Sequence, residues 1–237
     1  MKYRELDDAK ISQTLDRLQR RIGERFPESG LSKVCEELIA VSRETKECVE
    51  YLRSPILPVR AGVGAAIIVM AIIVMWMVVK TMQLPTHLGG QADVVQFIDA
   101  TASSAVFMGL AILYLLKIEP SLKRRRALRV VHQIRSLAHV IDMHQLTKDP
   151  ERLLSPEPDT SSSPVRTMTA LQLGRYLDYC SELLSVSSKL SALLVQYFDD
   201  PVLLGAVDGI ETLATSLSGK IWQKIQLLDS SRITHKA

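Results

Sequence analysis

The chain has 237 residues, of which 47% are apolar, only 5% are aromatic and 23% are charged, with a net charge of +3. That balance excludes a disordered chain, and the charge is too small to point to nucleic acid, so no nucleic-acid partner is expected. The three cysteines, Cys35, Cys48 and Cys180, are far apart in sequence; neither a zinc site nor a disulfide framework is expected from such spacing, and free thiols fit a reducing compartment.

Met1-Lys2-Tyr3-Arg4-Glu5-Leu6-Asp7-Asp8 has charges but no apolar run behind them, so targeting is expected to come from internal segments rather than a leader. Two amphipathic helices follow. Ile11, Leu15, Leu18 and Ile22 repeat at spacings of four and three, and Pro27, Ser29 and Gly30 interrupt them. Leu31, Val34, Leu38, Val41, Thr45, Cys48 and Leu52 then alternate by three and four. That pattern suits either a coiled-coil seam between chains or an antiparallel helix pair within one. Ser54, Pro55 and Pro58 end the second helix, closing an N-terminal region over 1–57.

From Ala61 to Val79 no side chain is polar or charged, and Arg60 and Lys80 bracket the run. A helix of that length reaches about 28 Å, close to the hydrocarbon thickness of a bilayer. Residues 58–80 are therefore expected to cross a membrane, with Trp76 near an interface. A turn over 81–93 holds Pro85, Gly89 and Gly90. A second span is expected over 94–117: Ala100 to Leu116 carries no charge, although Thr101, Ser103 and Ser104 occupy its early turns. Gly62 with Ala66, and Ala100 with Ser104, form small-xxx-small pairs suited to close packing, within the hairpin first and otherwise against a neighbouring subunit.

Orientation follows from lysine and arginine placement. The loop from Thr81 to Asp93 has none, whereas Arg43, Lys46, Arg53 and Arg60 precede the first span and Lys117, Lys123, Arg124, Arg125, Arg126, Arg129 and Arg135 follow the second. Both flanks are thus expected in the cytoplasm, with a bacterial inner membrane as the default location.

A basic helix is expected over 118–148, with Val130, Val131, Ile134, Leu137, Ala138 and Ile141 on its apolar face and Arg125, Arg129, His132, Ser136 and His139 opposite. Lys117, Lys123, Arg124, Arg125, Arg126 and Arg129 are the candidate contacts for anionic lipid or an acidic partner. A Pro- and Ser-rich linker over 149–167 leads to a helical hairpin over 168–237, suited either to a three-helix bundle with the basic helix or to pairing with the N-terminal helices. Its first helix carries Leu173, Tyr176, Cys180, Leu183, Ser187, Leu190, Leu194 and Tyr197. In the second stand Leu203, Val207, Ile210, Ala214, Leu217, Ile221 and Leu228, with Asp200 as N-cap and Pro201 as first helical residue.

The sequence thus predicts an all-α integral membrane protein: a two-span hairpin joined to cytoplasmic helical regions. No catalytic, cofactor or metal residue is assigned, since no P-loop, GxGxxG, GxSxG or HExxH occurs. Three functional readings are set out. The first is a membrane-anchored interaction protein that forms homo-oligomers or binds a protein partner. A second is an oligomeric pore lined by Thr101, Ser103 and Ser104. The third is a membrane-tethered nuclease or metal hydrolase resting on His132 and His139; Arg126 and His132 have the spacing of some helical endoribonucleases, but Ala127 stands where such sites carry a polar residue.

Overall fold

The computed structural model describes residues 4–82, 91–150, 161 and 168–234, with side-chain detail for all of these except 81–82, 91–102 and 231–234. Seven helices follow in chain order: α1 (Asp8–Arg25), α2 (Gly30–Arg53), α3 (Leu57–Met82), α4 (Gln91–Leu116), α5 (Ile118–Leu146), α6 (Ala170–Gln196) and α7 (Pro201–Thr234). No strand occurs among the described residues. Chain contacts divide the molecule into two units, Ser54–Arg125 and the combination of Met1–Arg53 with Arg126–Ala237. Nearly all of the linker over 149–167 and most of the loop over 81–93 lie outside the described residues.

The larger unit is a bundle of α1, α2, most of α5, α6 and α7. The residues of each apolar stripe read from these five helices are buried in it, except Leu137 and Tyr197, which are partly buried against the core. Ile11, Leu15, Leu18 and Ile22 close α1 onto the core. All seven residues of the α2 seam, Leu31 to Leu52, are buried within this one chain. The seam is therefore filled by the chain's own helices, as in the antiparallel-pair reading, because α2 packs against α1 and α6. Thr45 avoids an unsatisfied hydroxyl in the seam by donating to the Val41 carbonyl (2.7 Å).

Helix α6 is the centre of the bundle and packs against α1, α2 and α7. It buries a second row, Leu177, Leu184 and Leu193, besides the stripe starting at Leu173. A helix apolar on more than one face is one surrounded by others. Thr169 and Gln172 form a capping box at its start. Asp200 caps α7 as its sequence implies, accepting from the Val202 and Leu203 amides at 3.1 and 3.0 Å.

The N-terminal pair and the C-terminal hairpin thus share one core, which also takes in the basic helix, so both pairings open from the sequence are realised together. Stripes on five helices cannot be assigned partners from periodicity alone, since each would fit several neighbours. The two ends of the bundle are pinned by aromatic and charged side chains. At one end Phe26 meets Tyr176 edge-on (5.4 Å between centroids) and Lys148 lies over Tyr176 (5.6 Å). Lys224 there donates to the Gln145 carbonyl at the end of α5 (2.9 Å). At the other end Arg53 lies over Tyr197 (4.6 Å), Arg126 over Tyr51 (4.4 Å), and Gln196 exchanges two hydrogen bonds with the Leu6 backbone.

In the smaller unit α3 packs against α4. Both are long and apolar enough to cross a membrane, and none of the residues in their most apolar stretches is buried. The expected use of Gly62 in close hairpin packing is not seen: a methyl group built on Gly62 or Gly64 would have nothing within 4 Å.

Candidate functional site

The region where the apolar hairpin meets the basic helix holds most of the residues singled out by sequence. α4 ends at Leu116 and α5 begins at Ile118, with a tight turn closed by the Lys117 amide donating to the Tyr114 carbonyl (3.1 Å). Two residues into α5, Glu119 becomes the centre of a small polar cluster. Arg60 donates to it through Nε (2.7 Å) and Nη2 (3.4 Å), the Ile56 amide donates to it (3.2 Å), and Lys123 Nζ lies 3.3 Å away. The cluster clasps the first turns of α3 to the first turn of α5. The Arg60 hydrogen bonds hold the Glu119 carboxyl well below the usual range, at about 2; burial opposes them, and the Ile56 amide and Lys123 add to them.

The clasp redistributes the expected basic surface. Lys123 is turned inward, its side chain only 10% exposed beside Glu119. Arg124 is half-buried, and Arg126, though exposed, packs over Tyr51. Lys117, Arg125 and Arg129 are exposed, and with His132, Ser136 and His139 they give α5 the solvent-facing stripe that its spacing implies. Ser103 and Ser104 are exposed on α4, while the side chain of Thr101 lies outside the described residues.

The remaining chemistry-bearing groups are dispersed. His144 is set against Gly30 at the start of α2, away from His139; burial, with Lys148 nearby, lowers its pKa. Cys35 and Cys180 are buried, and burial pushes both thiols up to about 12; Cys48 is raised for the same reason. Such thiols are poor nucleophiles. Among the described residues no group of three or more His, Cys, Asp or Glu stands close enough to share a metal ion.

No protein-family model, curated protein or solved structure matches this chain. The reading therefore rests on its own residues. Two were missed from sequence. Glu119 stands four residues before Lys123, a spacing that marks a helical ion pair, but nothing in the spacing points to Arg60, 59 positions earlier. Tyr51 likewise has no local pattern that announces Arg126.

Proposed function

We propose that this protein is a membrane-anchored helical interaction protein: the α3–α4 hairpin crosses a bilayer twice, and the helical bundle on its cytoplasmic side binds a second copy or a protein partner. The observation that carries the reading is the contrast between the two units. The bundle buries its apolar stripes in a shared core, whereas α3 leaves Ile68, Val69, Ile72, Ile73, Met75 and Trp76 all at least half exposed. A folded chain that fills one core does not leave a continuous apolar helix in water, so lipid is the solvent that suits α3 and α4. The absence of lysine and arginine between Thr81 and Asp93, against the basic flanks, supports cytoplasmic placement of both ends, in a bacterial inner membrane.

The test is the mass of the particle in lipid nanodiscs, by light scattering, together with crosslinking in native membranes. A dimer, or a complex with a cytoplasmic partner, is expected. A chain that stays monomeric and crosslinks to nothing contradicts the proposal. One observation favours a second reading, a pore: Ser103 and Ser104 are exposed in the uncharged stretch of α4. A closed ring of subunits with ion flux in vesicles would establish it, and a dimer without flux would remove it.

A further inference from the structure

We propose that the α6–α7 turn, from Phe198 to Leu204, seats in the headgroup region of the bilayer and so gives the bundle a contact with lipid of its own. The proposal rests on the membrane reading above. Three observations point to it. First, the tip is apolar and open: Val202 and Leu204 are 52% and 54% exposed, Pro201 is exposed beside them, and Phe198 is half-buried behind. An exposed apolar tip at a helix start is costly in water and suited to a lipid interface.

Second, the length of the chain bounds the distance from this tip to the start of the uncharged run. Arg53 lies over Tyr197, the residue before Phe198 (4.6 Å). Only eight positions separate Arg53 from Ala61, where the uncharged run begins, and eight residues reach at most about 28 Å even when extended. The second connection leaves from the same end of the bundle, since Arg126 lies over Tyr51, two residues before Arg53.

Third, a cation stands at the tip: Arg53 is exposed and lies over Tyr197, and arginine suits lipid phosphate. Asp199 is exposed in the turn, and exposed Glu5 and Asp7 flank Leu6, whose backbone is bonded to Gln196, so the attraction comes from the apolar side chains rather than from an excess of positive charge. Asp200, the other acid of the turn, is turned inward as the α7 cap.

The two native tryptophans make the test internal. Trp76 lies in the apolar stretch of α3, and Trp222 is 59% exposed on α7, 20 residues after Val202, or about 30 Å further along the same helix. Three single-tryptophan proteins are reconstituted in phosphatidylcholine–phosphatidylglycerol vesicles: Trp222→Phe reporting Trp76, Trp76→Phe reporting Trp222, and Val202→Trp with both native tryptophans replaced by Phe. Nitroxide lipids quench at shallow or deep positions. The proposal expects the tryptophan at position 202 to lose about half its emission to the shallow nitroxide, consistent with insertion of roughly 5–10 Å, while Trp222 keeps its own. An exposed indole with a mere affinity for lipid would be quenched at both positions, which overturns the assignment to the tip. A tryptophan at 202 quenched no more than Trp222, with Trp76 quenched by the deep nitroxide, overturns the seat and leaves the anchor standing. An unquenched Trp76 removes the anchor, and the seat with it.

Discussion

Glu28 and Gly30 stand in the turn between α1 and α2, and their roles are the reverse of what residue type suggests. Glu28 has φ of 57°, in the left-handed region that favours glycine. Gly30 is not left-handed but is needed for space: a Cβ there would overlap the imidazole of His144. Glu28→Gly should therefore stabilise the protein by about 0.5–1 kcal/mol by relieving the backbone. Gly30→Ala should destabilise it by about 1 kcal/mol through crowding. Adding His144→Ala should cancel most of that loss, a coupling readable as a double-mutant cycle in chemical unfolding. Asp200→Ala should cost about 1 kcal/mol through loss of the α7 cap. Of these, only the cap was legible in sequence, because Asp-Pro at a helix start is a local signal. The left-handed residue and the crowded glycine depend on where α5 ends in space.

Helices α2 and α5 show how periodicity and packing divide the work. The α2 seam was legible as a stripe but not as to its partner; its residues are buried by α1 and α6. Leu38→Ala should then destabilise the bundle by about 2–5 kcal/mol and leave the particle mass in nanodiscs unchanged. A drop in mass would mean that the seam also serves between chains. In α5 the residues that the spacing sets opposite the apolar face are exposed, whereas Lys123, a candidate lipid contact outside that stripe, is turned toward Glu119 in its own helix. The clasp has a pH signature. Glu119 is depressed in the folded protein, so its contribution is complete above the ordinary glutamate range near pH 4.5 and is lost as pH falls toward about 2. Thermal unfolding in detergent should show that acid loss between about pH 4.5 and 2 in the native chain and a much smaller one in Glu119→Gln.

At the scale of the whole molecule, the chain forms two units of opposite character. One buries its apolar stripes; the other wears its apolar residues outside. Composition made both long apolar helices legible in the sequence, because each is a single continuous segment whose length and polarity match what a bilayer would impose. The union of the N-terminal and C-terminal helices into one bundle was visible only as one of two open pairings, because helices joined through a hairpin of more than 70 residues (Ser54–Arg125) leave no local trace that selects it. The central claim is the double crossing with both ends of the bundle's chain on one side. Single cysteines at Lys33, His87 and Ser216, in a chain whose own three thiols are buried, test it with a membrane-impermeant maleimide. The account predicts that His87→Cys labels in intact cells and that Lys33→Cys and Ser216→Cys label only after the membrane is opened. Labelling of all three from the same side would contradict it.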